Sequence, residues 1–299
     1  MSNSQSSNLH ITQQTQLLPA IQAWEIYLQD QDKSIYTVKA FVSDLQLLAS
    51  FFPPDKTVGT ITTSDLNNFL KWLETGRPVP CSPKSLARRI TSIKAFFRWL
   101  KQFGRITIDP AEKVVQKSVI SPLPEVLTEA EQERVLEAAN KLRSASKPDA
   151  RPLTLLLLLL ETGLKKGECL SLTLNHLNLE TPADQYIFVR YNNPNYRYKE
   201  RKISVSDEWV QVYQEYVEQY QPKDQLFPWS PRRLEYILED IGKEAGLEKH
   251  LSFDMCRWTS VLRDFTTTED KDLIRQKLGI SKIQWREIGA KLNRLSSQS

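Results

Sequence analysis

PLTLLLLLLETGLKKGECLSL, residues 152 to 172, is the stretch on which the fold turns. Leu153 to Leu160 is apolar apart from Thr154. A run that short falls far below the roughly 20 residues of a membrane span, so it reads as a helix buried on all sides. Thr162-Gly163 then breaks the pattern as a turn, and Lys166 to Leu172 resumes it as a second short helix. Lys165, Lys166 and Glu168 therefore stand beside a tight turn at the end of a hydrophobic helix.

Working outward, Leu127-Thr128-Glu129-Ala130-Glu131 opens this unit, with Thr128 and Glu131 at capping-box spacing before an amphipathic helix. Downstream, Tyr186 to Tyr191 and Arg197 to Val205 read as two strands of a hairpin around Asn192-Asn193-Pro194-Asn195. From Asp207 onward the pattern is helical again, interrupted at Leu226-Phe227-Pro228 and at Gly246. Upstream, Leu17 to Gly104 has apolar residues at three- and four-residue intervals, with breaks at Pro53-Pro54, Gly59 and Gly76 to Pro83, predicting about four helices. Ser64-Asp65 and Ser82 are the expected N-caps there. Between the two units, Pro110, Pro122 and Pro124 make Ile106 to Pro124 an expected extended linker. The predicted layout is thus a mainly α chain: a disordered tail over 1–14, a helical unit over 15–105, a linker over 106–124, and a mostly helical unit with a small antiparallel sheet over 125–299.

Composition narrows the chemistry. The chain has 299 residues, 40% hydrophobic and 25% charged, which is enough for two domains with proper cores. Met1 to Gln14 is polar and lacks the basic-plus-apolar pattern of a secretory signal, so a cytoplasmic protein without a membrane anchor is expected. Cys81, Cys169 and Cys256 are widely spaced, and there are three histidines, so neither a disulfide framework, a metal site nor a cofactor is expected. A net charge of +4 is mild, and nucleic-acid binding has to be argued from where the charges sit.

Two places carry that argument. On the helix predicted from Ser82 to Lys101, Leu86, Ile90, Ile93, Phe97 and Leu100 share one face, while Lys84, Arg88, Lys94, Arg98 and Lys101 lie off it. A face of one sign suits a phosphate backbone, because each neutralised phosphate releases counterions; a solvated surface helix is the alternative. The hairpin adds Arg190, Arg197, Lys199, Arg201 and Lys202, interleaved with Tyr191, Tyr196 and Tyr198. There the alternative is an exposed strand edge kept soluble by charge.

Thr162-Gly163-Leu164-Lys165-Lys166-Gly167-Glu168, then Asp254-Met-Cys-Arg257-Trp258-Thr259, then Leu278-Gly279-Ile280-Ser281 resemble, in order and spacing, the catalytic domain of the tyrosine recombinases, the phage-integrase family. Ser34-x-x-Thr37, Asp44-Leu45, Ser82 to Leu100 and Asp109-Pro110 resemble that family's helical, SAM-like core-binding domain, so the resemblance spans about residues 15 to 295. It implies double-stranded DNA as partner. It also implies a scissile phosphate held by two arginines, whose positions fall on Lys165 and Arg257, with Glu168 buttressing the first. A lysine keeps the charge but lacks the bidentate fork.

Other implied positions depart from the family. Where it has a histidine or lysine stands Asp254, whose carboxylate repels phosphate; where it has a histidine or tryptophan stands Ile280, which donates no hydrogen bond. The hairpin lysine that serves the family as general acid falls near Tyr196, leaving Lys199 as a displaced substitute. The nucleophilic tyrosine's position falls on Gly289, and the last tyrosine of the chain is Tyr236. Glycine offers no nucleophile for a phosphotyrosine intermediate.

The expectation is therefore a degenerate recombinase-like protein, not an enzyme, that binds duplex DNA sequence-specifically or structurally in the cytoplasm at the nucleoid. The expected DNA contacts are Lys84, Arg88, Lys94, Arg98, Lys101, Lys165, Arg197, Lys199, Arg201 and Arg257. Transcriptional regulator, nucleoid factor and recombination accessory are all open roles. The competing expectations are a strand transferase with a non-standard nucleophile, and a partner-binding module that has left DNA. The apolar stripe Trp285, Ile288, Leu292, Leu295 either folds back in cis or packs onto a second copy, another recombinase-like protein or a transcription protein.

Overall fold

The computed structural model describes residues 11–31, 33–116, 122–182, 184–268 and 270–297. The chain divides into two compact units, Met1–Ser121 and Pro122–Ser299.

The first unit has four α-helices among its described residues: α1 (Leu17–Asp30), α2 (Ile35–Phe51), α3 (Thr63–Thr75) and α4 (Pro83–Gln102). Their breaks have local causes. Helix α2 stops before Pro53-Pro54, and a short 3-10 turn over Val58–Thr60 carries the chain into α3. The cap of α3 is Thr62, not Ser64: its hydroxyl accepts from Asp65 N while the Asp65 carboxylate accepts from Thr62 N, so two orphan amides are satisfied at once. Helix α4 starts as expected, with Ser82 accepting from Ser85 N and Pro83 where its missing donor is harmless. The core is aromatic, with Trp24, Phe69, Phe96 and Phe97 buried among leucines.

Two boundaries differ from expectation. Of the tail expected over 1–14, residues 1–10 lie outside the described residues, but Ile11 is buried and Gln13 hydrogen-bonds to Thr107. The Gln13 carbonyl accepts from Gly59 N at 2.9 Å and the Ile11 carbonyl from Arg105 at 3.3 Å, so backbone bonds dock the stretch as well. The expected linker likewise begins as part of the first unit: Ile106, Ala111 and Val114 are buried in its core. Residues 117–121 of that linker lie outside the described residues.

The second unit contains α5 (Glu129–Arg143), α6 (Arg151–Thr162), α7 (Lys166–Ser171), β1 (Leu177–Asn178), β2 (Tyr186–Val189), β3 (Arg201–Ser204), α8 (Asp207–Tyr220), α9 (Pro231–Glu244), α10 (Phe253–Thr267), α11 (Lys271–Lys277) and α12 (Lys282–Ser296). Helix α6 is the hub. Its residues Pro152 to Leu160 are all buried, and it packs against α5, α8, α9 and α10. Each fully buried leucine there is worth roughly 1.5–3 kcal/mol. Gly163 ends α6 with φ 61°, the left-handed conformation glycine adopts without strain, and so turns the chain sharply into α7.

The sheet is antiparallel in the order β1-β2-β3, with Ile187 opposite Ile203 and Val189 opposite Arg201. The hairpin is shorter than predicted: Arg197 to Lys199, expected in the second strand, belong to a 3-10 turn over Pro194–Lys199 that is started by Asn193 accepting from Asn195 N. Ile203 is buried, and Arg201, two residues earlier, points to the same side. A second small core joins the ends of the unit. Val261 and Leu262 of α10, Ile274 and Leu278 from α11, and Leu292 and Leu295 of α12 are buried together. The apolar stripe of α12 thus packs in cis, with Trp285 and Ile288 on the same cluster. No helix among the described residues is long and apolar enough to cross a membrane. The architecture is the mainly α, two-unit one read from the sequence, with the small sheet in the second unit.

Candidate nucleic-acid interface

The turn after α6 and the first helical turn of α10 meet in a cleft of about 750 Å³ in the second unit. Lys165, Lys166, Arg232, His250, Asp254 and Arg257 all line it. Lys165 is the residue that N-caps α7, and Glu168, one turn on, accepts from Lys165 N at 2.9 Å. Arg257 lies on α10 one turn after Asp254. Its guanidinium donates to the Gly163 carbonyl and, at 3.4 Å, to the Leu278 carbonyl, so it ties both glycine turns together. Asp254 is exposed on the first turn of α10, where the helix dipole tolerates negative charge.

The centre of the arrangement is Glu168, whose side chain is only 3% exposed. Burial alone would raise its pKa, yet it is held at about 2, because Arg201 and Tyr191 hydrogen-bond to it and Lys165 N does as well. Arg201 donates to both carboxylate oxygens, at 3.2 and 3.0 Å, and Tyr191 donates its hydroxyl. Lys165 is farther away, with Nζ 3.8 Å from Oε1. Arg201 also donates to the carbonyls of Lys199 and Lys277, at 3.0 and 2.5 Å. It thereby latches β3 to α7 and to the end of α11. The Lys277 contact places its guanidinium on Gly279, where a Cβ would lie 2.6 Å from Nη1.

This changes several expectations. Arg201, expected as a DNA contact, has a side chain only 8% exposed and is engaged inside the protein. Lys165 and Arg257 remain in the cleft. With Glu168 held by Arg201, the cleft is lined by Lys165, Lys166, Arg232 and Arg257 against Glu235, Glu239 and Asp254, a balance of one positive charge that favours an anion. Burial lowers the pKa of Lys165, Glu168 opposes that, and the charges of Arg257, Arg201 and Lys199 lower it further. Burial also lowers that of Arg257, against the pull of Glu168. Lys166 is offset by Glu235 of α9 at 2.5 Å.

Ile280 is 6% exposed in the small core, so the position after Leu278-Gly279 serves packing. Gly289 is a half-buried residue on α12 with space around it: an added Cβ would meet only Trp285, at 3.8 Å. Trp285 itself packs against the small core, its ring 6.4 Å from that of Phe265. At the hairpin, Arg197 is exposed and the Lys199 ammonium lies over the Tyr196 and Tyr198 rings.

The basic face of α4 belongs to the first unit. Lys84, Arg98 and Lys101 are exposed and Lys94 is half-buried, all opposite the buried Ile90, Ile93, Phe97 and Leu100. Among the described residues Lys84, Lys94 and Arg98 have no ion pair, while Lys101 reaches Glu112 at 3.4 Å. Arg88 is diverted: it pairs at 2.5 Å with Asp44, a buried carboxylate that also binds Ser92 and lies 3.5 Å from Arg89. Burial raises the Asp44 pKa, with Ser92, Arg88 and Arg89 opposing. Arg232, which donates to the Tyr236 hydroxyl at 2.7 Å in the cleft, was not anticipated; its signal was Ser230-Pro231-Arg232-Arg233 opening a helix. Among the described residues no group of three or more His, Cys, Asp or Glu side chains could hold a metal ion.

Known proteins match this chain along most of its length. Residues 21–104 match the N-terminal SAM-like domain of phage integrases, and residues 125–284 match the phage integrase family. Tyrosine recombinase XerD of Listeria innocua serovar 6a is 25% identical over 276 residues, covering 88% of this chain and 90% of the relative. Tyrosine recombinase XerC of Lacticaseibacillus casei is 25% identical over 282 residues, covering 90% and 92%. In fold, XerH site-specific recombinase bound to palindromic difH substrate in a post-cleavage complex aligns with a TM-score of 0.72 at 17% identity, over 93% of this chain and 82% of the other. A lambda integrase tetramer bound to a Holliday junction aligns at 0.70 and 16%, over 95% and 83%.

The expectation that the chain is not an enzyme is corrected by these matches, because the relatives that align over about nine tenths of both lengths are named as recombinases, which are strand-transfer enzymes. Two matched segments in the family's order, and the charged turn between α6 and α7 facing Arg257 of α10, lead to one conclusion: this chain belongs to the phage integrase family of tyrosine recombinases.

Proposed function

We propose that this protein binds double-stranded DNA and acts in DNA recombination, holding a backbone phosphate in the cleft between Lys165 and Arg257. The observation that carries the reading is that Arg201 holds both oxygens of Glu168, so Lys165, 3.8 Å from the same carboxylate, and Arg257 keep positive charge to offer the cleft they line. The relatives' names and the DNA-bound state of XerH and lambda integrase support the substrate class. Exposed Lys84, Arg98 and Arg197 supply further phosphate contacts, while Arg88 and Arg201 serve the fold.

The proposal extends to a member altered at the cleavage positions. Counted forward from Leu278-Gly279, the family's nucleophile position falls on Gly289. Strand transfer on this scaffold therefore draws its nucleophile from a different hydroxyl or from a companion recombinase subunit. The test has two parts. Binding to duplex DNA should weaken steeply with salt, and absence of binding at low salt overturns the proposal. A nicked suicide substrate incubated with the protein alone, and with a tyrosine-bearing recombinase, then locates any covalent adduct by mass spectrometry. An adduct on a tyrosine of this chain would refute the second part.

A further inference from the structure

The hairpin tip is built unlike a phosphate clamp. Pro194 and the Asn193 cap fold Pro194–Lys199 into a 3-10 turn that presents Tyr196 and Tyr198, 45% and 69% exposed. Tyr196 is propped from beneath by Tyr191, ring to ring at 5.9 Å and 63°. Tyr191 is itself fixed at both ends: its hydroxyl donates to Glu168 and its backbone N–H to Glu200 at 2.9 Å. The Lys199 ammonium lies 4.4 Å from the Tyr196 ring centroid and 5.3 Å from that of Tyr198. Glu200, held by the Tyr191 amide, is turned away from the tip.

We propose that Tyr196 and Tyr198 form a stacking site for an unpaired nucleobase of DNA, the Lys199 ammonium moving off the rings onto a phosphate as the base takes its place, with Arg197 holding a neighbouring phosphate. This rests on the DNA-binding reading above and adds to it a preference for distorted DNA. A phenol ring offers a π face and one hydroxyl, which is poor equipment for a phosphate and good equipment for a base. A paired base is already covered on both faces by its neighbours, so the free face must come from a base out of the stack. Neighbouring Arg190, Arg197 and Lys202 are exposed, giving a charge of one sign that suits a polyanion. The rigid support under Tyr196 lowers the ordering cost of stacking on it.

The experiment uses the full chain and two duplexes of the same sequence, one fully paired and one with a single unpaired 2-aminopurine bulge. The wild-type protein should bind the bulged duplex about tenfold more tightly and quench the 2-aminopurine emission. Tyr196→Leu and Tyr198→Leu should abolish the preference and the quench while leaving affinity for the paired duplex within about twofold. Tyr198→Phe, which keeps the ring, should retain both. Equal affinity of the wild-type protein for the two duplexes, or a preference that survives both leucine variants, overturns the inference with the DNA-binding reading intact. Failure to bind either duplex at low salt removes both.

Discussion

Replacing Arg201 by leucine should destabilise the second unit by about 3 kcal/mol near pH 7. The magnitude comes from Glu168, held at about 2 against an ordinary 4.5 although burial pushes it the other way. At about 1.4 kcal/mol per tenfold change in a proton equilibrium, that gap is roughly 3 kcal/mol, which matches the usual cost of about 3–5 kcal/mol for removing one partner of a buried pair. The sign follows from the depressed pKa. In the wild-type protein the contribution is complete above about 4.5 and is lost as the pH falls toward about 2. In the variant, burial acts on Glu168 with its principal partner gone, its pKa moves above the ordinary value, and acidification stabilises the fold instead. The gap between the two proteins should therefore narrow as the pH is lowered from about 7 toward about 4. Urea denaturation at several pH values measures it, with hydrogen exchange at α7 and β3 reporting the second unit separately. A second change, Glu168→Gln, should restore much of the lost stability in the Arg201→Leu background. A loss under about 1 kcal/mol, a gap that does not change with pH, or no recovery in the double variant would refute the reasoning.

Other outcomes are equally definite. Lys165→Ala and Arg257→Ala should each flatten the plot of log affinity for duplex DNA against log salt by about 1, as should Lys84→Ala and Arg98→Ala, measured by fluorescence anisotropy; an unchanged slope removes that residue from the phosphate contacts. Asp44→Asn should cost the first unit roughly 1–3 kcal/mol in chemical denaturation, because Arg88 and Arg89 lose their shared carboxylate. The two glycines of the C-terminal elements should respond oppositely in thermal melts. Gly279→Ala should lower stability by at least about 1 kcal/mol, since φ is +59° and its Cβ would strike the Arg201 guanidinium. Gly289→Ala, in a helix with open space, should raise it by about 1 kcal/mol.

Local signals in the sequence read well. The Thr128 and Glu131 capping box makes both of its bonds, and Gly163 takes the left-handed turn that Thr162-Gly163 announces. The α4 stripe buries Ile90, Ile93, Phe97 and Leu100 as its period requires. These depend on neighbours within one or two turns. What escaped depends on partners far along the chain. Asp44 and Arg88 are 44 residues apart, so a basic residue on a helix face looked free when it was paired. Glu168 and Arg201 are 33 apart. The only hint was that Arg201 shares the inward parity of Ile203, which is a strange position for a cation unless an anion waits there. Arg197 to Lys199 has the composition of a strand, but the turn that Asn193 and Pro194 start locally runs on through it to Lys199.

The Arg201 latch has a consequence for how residue 165 can vary. The main duty of neutralising the acidic side chain one helical turn after that position is performed from a strand far downstream, and the cation at 165, 3.8 Å from the same carboxylate, is left as its secondary partner. Exchange of lysine for arginine there, in either direction, becomes a change in how a ligand is gripped rather than in whether the unit folds. Position 201 carries the opposite constraint: it tolerates little, and so does the glycine it rests on. Substitution tolerance at 165, 201 and 279 should consequently look inverted to anyone who ranks them by nearness to the cleft.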